Sequence, residues 1–464
     1  MEPITIREIV AAVDGKLLGD FTALDQTVPH VFTDSRKPDP GALFIPLVGE
    51  RFDGHAFINE ALEGGAAGCF TQRERESYLP GKFYIKVNST QKALRDLARW
   101  YKKKFPIPFV AITGSVGKTT TKDMVAAVLG ERFKVLKTEG NFNNEVGLPL
   151  TLLRLNGTHE ICVVEMGMNH FGEIEYLSAI VEPDVAVITN IGDSHIENLG
   201  SRENILEAKC EIFSHMDPEK SFVILNGDDP LLAGLRPTLP FETVMVGTAE
   251  GLEYRATDVS ADGEKSVCCH VTTPTTDFAA QIPALGNHML YPTLTATAVA
   301  EHFGMTGEEI ARGILRFAPT KMRMNILKRG AGITILNDTY NANPQSMRAA
   351  VEVLAKTGSG YKIAVLGDMF ELGPFAPNLH AGVGAYLAKA GIDCLLAVGE
   401  LAEHIYKAAQ EAHVADAFWC RTKEEAKPIL EQLVRPNATI LVKASRGMAF
   451  EELVEYLKSI TAEP

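Results

Sequence analysis

The chain has 464 residues, a length typical of about three domains. Its 45 Lys and Arg residues against 59 Asp and Glu residues give a net charge of −14, which argues against duplex nucleic acid as a partner, because phosphate binding depends on Lys and Arg. Hydrophobic residues at 46% and charged residues at 22% exclude disorder as the overall state.

The sequence also predicts a cytoplasmic location. No apolar run reaches the roughly 18 residues of a membrane span, so we expect no membrane insertion. The first residues contain no apolar segment of the kind found in signal peptides. The seven cysteines include no C-x-x-C pair, so neither a disulfide framework nor a zinc ribbon is expected.

Successive regions of the chain differ in their apolar patterns. Residues 1–88 hold short apolar runs bounded by Gly and Pro, with a short helix predicted over 57–67, and indicate a small α/β domain. Residues 89–318 begin with a helical pattern, after which short, fully apolar runs alternate with helical segments. Such runs are typical of a doubly wound, mostly parallel sheet. The predicted strands cover residues 109–113, 161–164, 185–189 and 222–225, with an antiparallel addition over 251–282.

The last region, residues 319–464, repeats the alternation of apolar runs and helical segments. It predicts a second parallel sheet, of the Rossmann-like kind, in a C-terminal domain. The chain is therefore predicted to be an α/β protein of three domains. The C-terminal strands are predicted over residues 333–336, 363–366, 395–398 and 440–442.

A glycine-rich loop follows the first strand of the central region. It reads Thr113-Gly-Ser-Val-Gly-Lys-Thr-Thr120, and helical spacing follows it. Glycines let backbone N–H groups converge on phosphate oxygens, and the next helix presents the positive end of its dipole. In such a P-loop Lys118 reaches the β- and γ-phosphates and the Thr119 hydroxyl ligates Mg²⁺. Ile112 replaces the first glycine of the usual pattern, so the loop is a variant; the alternative is a strand–turn–helix without a ligand.

Polar residues follow other strands of the predicted central sheet, at the edge where ligands of doubly wound sheets lie. Glu165 directly follows the strand at residues 161–164, and is either a Mg²⁺ ligand beside a triphosphate or a solvated turn residue. His195 follows the strand at residues 185–189, with a catalytic or a structural role. The pattern alone describes Lys209 as an exposed lysine on an amphipathic helix.

The C-terminal region offers two further candidates. Asp338 follows its first predicted strand, and either accepts a hydrogen bond from a ribose hydroxyl or caps the helix that starts near Pro344. Arg323 precedes that strand and is not distinguished by pattern alone. A P-loop does not decide whether the γ-phosphate is hydrolysed, transferred to a hydroxyl or used to activate a carboxylate.

Ordered motifs span nearly the whole chain. Beside the P-loop they occupy residues 33–36, 49–55, 140–151, 165–168, 207–213, 338–347, 365–373 and 442–448. In this order they resemble the Mur ligase family, and within it the member that adds a dipeptide. The resemblance implies that ATP phosphorylates the terminal carboxylate of a UDP-MurNAc-tripeptide to an acyl phosphate. The amine of D-Ala-D-Ala then displaces phosphate, giving UDP-MurNAc-pentapeptide for peptidoglycan synthesis.

The resemblance implies a role for each predicted domain. Residues 1–88 bind the UDP-MurNAc-peptide, 89–318 bind ATP, and 319–464 complete the ATP and dipeptide sites. ATP and two Mg²⁺ ions are the implied cofactors, the two peptides are the partners, and we predict a monomer. The implied catalytic residues are Lys118, Glu165, His195, Lys209 and Arg323. The implied Mg²⁺ ligands are Thr119, Glu165, His195 and Lys209, the last as a carbamylated lysine.

The resemblance also implies binding residues. Met289 and Pro292 stand where many relatives have asparagines. The resemblance therefore implies adenine contacts only for two nearby residues, Asn287 and His288. The implied nucleotide-binding residues are Thr113, Gly114, Ser115, Val116, Gly117, Lys118, Thr119, Thr120, Asn144, Asn287, His288, Arg323, Asp338 and Tyr340. The implied substrate-binding residues are Ser35, Arg36, Lys443, Ser445 and Arg446.

Other functions remain open from the sequence. The sister ligase that adds the third peptide residue and the polyglutamate-adding folate ligase share the chemistry, but the motifs at residues 165–168 and 340–344 fit the dipeptide-adding member better. A non-catalytic, nucleotide-gated binding protein would tolerate loss of the Mg²⁺ ligands, yet all of them are present.

Overall fold

A computed structural model describes residues 1–49, 52–262 and 265–462 of the chain. Within these residues the chain forms successive α/β units, each with its own main sheet, which confirms the predicted fold class. Residues 50 and 51 of the motif at 49–55 lie outside the described residues. The described helices include none that is long and apolar enough to cross a membrane.

The N-terminal unit is built on a mixed sheet. Its strands are β1 (Ile4–Thr5), β2 (Lys16–Leu18), β3 (Thr27–Val28), β4 (Val31–Phe32), β5 (Leu43–Phe44), β6 (Gly68–Thr71) and β7 (Phe83–Lys86). The helices are α1 (Ile6–Ala12) and α2 (Ile58–Glu63), and α3 (Thr90–Lys102), at the start of the predicted central domain, leads from this unit to the next. The strand order is β2-β7-β6-β5-β4, and β1 pairs separately with β3. The helix predicted over residues 57–67 is thus α2, which ends early at Gly64 and Gly65.

The central unit is a large, mostly parallel sheet. Its strands are β8 (Phe109–Thr113), β9 (Val135–Lys137), β10 (Ile161–Glu165), β11 (Val185–Ile188), β12 (Phe222–Asn226), β13 (Glu242–Gly247), β14 (Tyr254–Asp262), β15 (Ser266–Thr272) and β16 (Asp277–Ile282). The strand order is β16-β15-β14-β13-β12-β11-β8-β10-β9. Strand β8 lies between β10 and β11 and is parallel to both, as predicted from its apolar sequence. Strands β14, β15 and β16 form the predicted antiparallel addition.

Helices of the central unit alternate with its strands. They are α4 (Lys118–Leu129), α5 (Gly147–Leu152), α6 (Glu173–Val181), α7 (Ile196–Leu199), α8 (Arg202–Cys210), α9 (Pro230–Leu235), α10 (Leu290–His302) and α11 (Gly307–Leu315). Helix α4 packs against α10 and α11 on one face of the sheet. Helix α3 packs against α5 and α6, which joins the N-terminal and central units through one apolar core.

The C-terminal unit contains the second parallel sheet. Its strands are β17 (Asn325–Lys328), β18 (Thr334–Asn337), β19 (Lys362–Gly367), β20 (Cys394–Val398), β21 (Asp416–Cys420) and β22 (Thr439–Lys443). Its helices are α12 (Pro344–Lys356), α13 (Ala376–Lys389), α14 (Ala402–Glu411), α15 (Lys423–Leu433) and α16 (Glu451–Ile460). The sheet confirms the predicted strands and adds two edge strands, β17 and β21. These were missed because most of their residues are only partly buried, so neither has a fully apolar sequence.

Candidate active site

The P-loop joins β8 to α4 and has the backbone conformation that its glycines allow. φ is +143° at Gly114 and +83° at Gly117, a region that residues with a Cβ atom rarely adopt. A Cβ atom on Gly114 would lie 1.9 Å from Thr189 Oγ1. Helix α4 begins directly after Gly117 with no side-chain cap, so its first N–H groups are available to an anion.

Residues that follow β11 hold the P-loop in place. Asn190 Oδ1 accepts a hydrogen bond from Val116 N over 2.9 Å, and Asn190 O accepts one from Ser115 N over 3.0 Å. Thr189 Oγ1 donates to Val116 O over 2.6 Å. Two neighbouring strand ends thus form one rigid phosphate-sized cradle.

Two cations meet at this cradle from different units. Lys118 Nζ donates to Gly114 O over 2.8 Å, and burial lowers the pKa of Lys118 while Glu165 opposes that shift. Arg323 Nη2 of the C-terminal unit lies 3.4 Å from Thr119 Oγ1, and its guanidinium lies 4.0 Å over the Tyr340 ring. Arg323 Nε is buried without a partner among the described residues, so it can still donate to a ligand.

Glu165 ends β10 and is only 2% exposed. Its Oε1 accepts a hydrogen bond from Asn143 Nδ2 over 2.8 Å, whereas Oε2 is buried with no hydrogen-bond partner in the described part of the chain. A buried, unpaired carboxylate oxygen fits a cation better than a solvated turn residue. Asn144, predicted near the nucleotide, is exposed, and its Oδ1 accepts from Gly147 N over 2.9 Å at the start of α5.

His195 and Lys209 come from elements that follow β11. His195 has a φ of +63°, and its Nδ1 lies 2.6 Å from Glu371 Oε2 of the C-terminal unit. The pattern-based description of Lys209 as exposed is wrong, because the side chain is 1% exposed within α8. Burial and the nearby Lys118 both lower the pKa of Lys209 well below its ordinary value, which favours a neutral amine.

A cavity of about 690 Å³ lies between the central and C-terminal units. Its size is that of small-molecule sites. Asp338 Oδ2 lies 2.5 Å from Lys443 Nζ, and Met324 N donates to Asp338 Oδ1 over 3.1 Å. Asp338 does not cap the helix at Pro344, since the Asn343 side chain does so. Predicted residues that line the cavity are Val116, Gly117, Thr120, His288, Arg323, Asp338 and Lys443.

Other predicted residues lie apart from the cavity. Asn287 is exposed beside its rim, and Arg36 forms an ion pair with Asp34 in the N-terminal unit. Arg446 Nη1 lies 2.7 Å from Glu451 Oε1. Ser445 Oγ accepts a hydrogen bond from Phe370 N over 2.9 Å, and Ser35 is partly buried in the N-terminal unit. Ser35 and Arg36 thus lie in the N-terminal unit, and Lys443, Ser445 and Arg446 lie in the C-terminal unit, as two separate groups.

Three residues of the site were missed from the sequence, namely Asn190, Asn343 and Glu371. Asn343 Nδ2 donates to Ser194 Oγ over 2.7 Å, which ties α12 to the loop that holds the P-loop. Asn343 and Glu371 lie within the motifs at residues 338–347 and 365–373, and these motifs were the sequence signal that could have identified them as site residues. Asn190 directly follows a predicted strand, as Glu165 does, and this position at a strand end could have identified it as a site residue.

The described residues include no group of three or more His, Cys, Asp or Glu side chains that could hold a metal ion. Such a group is not needed for Mg²⁺ beside a nucleotide, because Mg²⁺ is usually held by one or two carboxylates together with phosphates and water. The buried, unpaired Glu165 Oε2 and the Thr119 hydroxyl fit that kind of site.

The fold and site define a protein whose nucleotide cavity is closed between two α/β units. Family models match over most of the chain: the Mur ligase middle domain over residues 112–300, the Mur ligase glutamate ligase domain over residues 322–446, and the Mur ligase family catalytic domain over residues 27–102. The chain belongs to the Mur ligase family.

Similar proteins indicate one branch of that family. The UDP-N-acetylmuramoyl-tripeptide–D-alanyl-D-alanine ligase of Bacillus subtilis is 41% identical over 459 residues, which cover 98% of each chain. The crystal structure of MurF from Acinetobacter baumannii has a TM-score of 0.92 at 32% identity, covering 98% of this chain and 99% of that one. MurF ligase from Thermotoga maritima, solved in complex with ADP, has a TM-score of 0.82 at 30% identity, covering 93% and 97%.

Proposed function

We propose that this chain is an ATP-dependent amide ligase that joins D-Ala-D-Ala to the terminal carboxylate of UDP-MurNAc-tripeptide. The products are UDP-MurNAc-pentapeptide, ADP and phosphate, in peptidoglycan precursor synthesis. The observation that supports this most is the divided site, in which Arg323 of one unit lies 3.4 Å from Thr119 in the P-loop helix of the other. Relatives named for this activity match the chain over nearly its whole length.

The proposed ATP site uses both walls of the cavity. The P-loop from Thr113 to Thr120 offers backbone N–H groups to the phosphates. Asp338 is proposed to bind the ribose and Tyr340 to lie near it, with His288 and Asn287 on the side of the base. Asn144 is retained as a nucleotide-binding residue, although its Oδ1 accepts a hydrogen bond from Gly147 N at the start of α5 here.

Two Mg²⁺ ions are proposed, with Thr119 and Glu165 at the first and Glu165, His195 and Lys209 at the second. When bound, Mg²⁺ would offset negative charge on the triphosphate and the attacking carboxylate. The unpaired Glu165 Oε2 supports this assignment, since a cation would give that oxygen the partner it lacks.

Two cationic side chains of the protein act on the transferring phosphoryl group in the proposed reaction. A carboxylate oxygen of the tripeptide forms a bond to the γ-phosphorus while the bond to ADP breaks, which brings anions together. Lys118 and Arg323 approach that phosphoryl group from opposite units and offset its charge. The dipeptide amine then bonds to the acyl carbon, loses a proton, and phosphate leaves. Closure of the units keeps water from the acyl phosphate.

Lys209 is proposed to be carbamylated. Only a neutral amine adds to CO₂, and burial together with Lys118 lowers the pKa of Lys209. In that step the Lys209 nitrogen would bond to the CO₂ carbon and lose a proton, and the carbamate oxygens formed would be of the kind that Mg²⁺ accepts as ligands.

The ends of the peptide substrate are assigned to the outer units. We propose that residues 1–88 hold the UDP-MurNAc end with Ser35 and Arg36, and that residues 319–464 hold a carboxylate with Lys443, Ser445 and Arg446. The boundaries near residues 88 and 318, the monomeric state and a cytoplasmic location are also proposals. Seven free thiols support the last, because disulfides are rare in that compartment.

Phosphate release from ATP and UDP-MurNAc-tripeptide, with and without D-Ala-D-Ala, tests the proposal. We expect release only with both peptides. Release that requires a single amino acid added to the UDP-MurNAc-dipeptide would favour the sister ligase, and activity on a folate would favour the polyglutamate ligase. Tight ATP binding with no release under any of these conditions would favour a nucleotide-gated binding protein.

A further inference from the structure

His195 and Glu371 meet across the cleft between the central and C-terminal units. His195 Nδ1 lies 2.6 Å from Glu371 Oε2, and the imidazole is mostly buried while the carboxylate is half exposed. The pair is a charge contact and not an aligned hydrogen bond, so Nδ1 has no hydrogen-bond partner among the described residues. His195 lies directly before α7, and Glu371 follows β19 of the other unit. The contact therefore requires the two units to be close together.

Both residues have an unusual backbone conformation. φ is +63° at His195 and +63° at Glu371, in the left-handed region that residues other than glycine seldom adopt. Residues held in this region cluster at functional sites, because the surrounding contacts must fix them there.

Contacts around Glu371 fix its loop against α7. Glu197 N donates to Glu371 O over 3.3 Å, and Phe370 N donates to Ser445 Oγ over 2.9 Å. At Gly373, where φ is +49°, a Cβ atom would lie 3.0 Å from Glu197 Cγ, so glycine permits this close approach. The loop is shaped to hold the Glu371 carboxylate at His195.

We propose that Glu371 is a positioning residue that orients His195 beside the nucleotide when the units close. A carboxylate at Nδ1 favours the tautomer with the proton on Nδ1, which leaves the Nε2 lone pair for a ligand. Glu371 itself touches no reacting atom and acts through His195. The inference rests on the proposed function, because it places His195 in the Mg²⁺ site.

The test compares the full chain with Glu371→Ala and Glu371→Gln. The matched control is Glu197→Gln, a neighbouring glutamate whose backbone N, and not its carboxylate, contacts Glu371. Nitrogen NMR of histidine side chains in the presence of Mg²⁺ and ADP reports the His195 tautomer, with His195→Gln to assign the signal. We expect the Nδ1–H tautomer in the unmodified chain and in Glu197→Gln, and a mixture in Glu371→Ala. We also expect the Mg²⁺ concentration for half-maximal phosphate release to rise about tenfold in Glu371→Ala, and less in Glu371→Gln, which keeps an oxygen with a partial negative charge beside Nδ1.

An unchanged His195 signal in Glu371→Ala would overturn the inference, whatever happens to the activity. If Glu371→Ala does not fold, as judged by thermal unfolding, the same comparison with Glu371→Leu decides it, because leucine fills the space of the side chain without an oxygen at Nδ1. Failure of the proposed function would give a different result, because phosphate release in the unmodified chain would then not depend on D-Ala-D-Ala. The NMR comparison needs only Mg²⁺ and ADP and would still report on His195.

Discussion

At the scale of single residues, the site is marked by buried polar groups without structural partners. Glu165 Oε2 and Arg323 Nε have no hydrogen-bond partner among the described residues, although such a buried group costs about 1–3 kcal/mol. Lys209 is buried beside another lysine, which disfavours its charged form. A ligand or modification that supplies partners removes these costs, so binding and stability are linked at this site.

Lys209→Ala is expected to lower the rate of phosphate release about 100-fold, because the proposed metal-ligating carbamate is lost. Short-chain carboxylic acids added to the assay should restore part of the rate, since their carboxylate can occupy the space of the carbamate. The control is Lys220→Ala, whose side chain is exposed and pairs with Asp217. Full activity of Lys209→Ala without any addition would contradict the carbamate.

Glu165→Gln is expected to raise the Mg²⁺ concentration for half-maximal activity at least about tenfold. The amide keeps an oxygen for Asn143 Nδ2 but removes the charge that attracts the cation. Mg²⁺ titration of the phosphate-release rate measures this effect, with the exposed Glu250→Gln as control. A Mg²⁺ requirement equal to that of the unmodified chain would exclude Glu165 as a ligand.

At the scale of elements, the P-loop helix α4 is fixed by close packing on its far side. Helix α11 approaches it at Gly313, where a Cβ atom would lie 2.5 Å from Val128 Cα. Backbone atoms cannot yield as a flexible side chain can, so this position accepts only glycine without movement of a helix. The position of Lys118 and Thr119 thus depends on contacts well outside the site.

Gly313→Ala is therefore expected to destabilise the chain by about 1–3 kcal/mol through overpacking. Gly234→Ala in α9 is the matched control, because no atom lies within 4 Å of its added Cβ. Thermal unfolding of both variants checks this, and we expect a lower midpoint for Gly313→Ala alone. Equal unfolding midpoints for the two variants would show that α11 can move away from α4 without loss of stability.

At the scale of the whole molecule, side-chain contacts at the site close the cleft between the central and C-terminal units. They join Thr119 to Arg323, Ser194 to Asn343, and His195 to Glu371. Each contact involves a residue at or beside the nucleotide site, so closure and assembly of the site are one event.

Arg323→Ala is expected to lower kcat by about 100-fold or more, because a cation from the opposite unit is lost from the transferring phosphoryl group. The affinity for ADP, which lacks the γ-phosphate, should change less than about threefold. Phosphate release and calorimetric titration with ADP measure the two effects, with Arg312→Ala, an exposed side chain of α11, as control. If the affinity for ADP fell as much as kcat, Arg323 would contribute to binding of the nucleotide and not to stabilisation of the transferring phosphoryl group.

Much of this arrangement could be predicted from the sequence. The strands with fully apolar sequences, such as β8 and β10, were predicted because burial on both faces leaves no place for polar residues. The edge strands β17 and β21 were not, because a partly exposed strand lacks that signature. The resemblance to the Mur ligase family identified Lys209 as a candidate site residue, whereas the helical spacing alone described it wrongly as exposed.

The sequence by itself determined the class of fold, the P-loop and the order of the motifs, since these depend on local spacing and on residues near each other in the chain. Only the tertiary structure decided that Lys209 is buried, that Asn143 and not Asn144 bonds Glu165, and that Glu371 lies at His195. These facts depend on how elements that are distant in the chain pack against one another, within the central unit for Lys209 and Asn143 and across the cleft for Glu371. Such contacts join residues separated by up to 204 positions in the chain, so no local pattern encodes them.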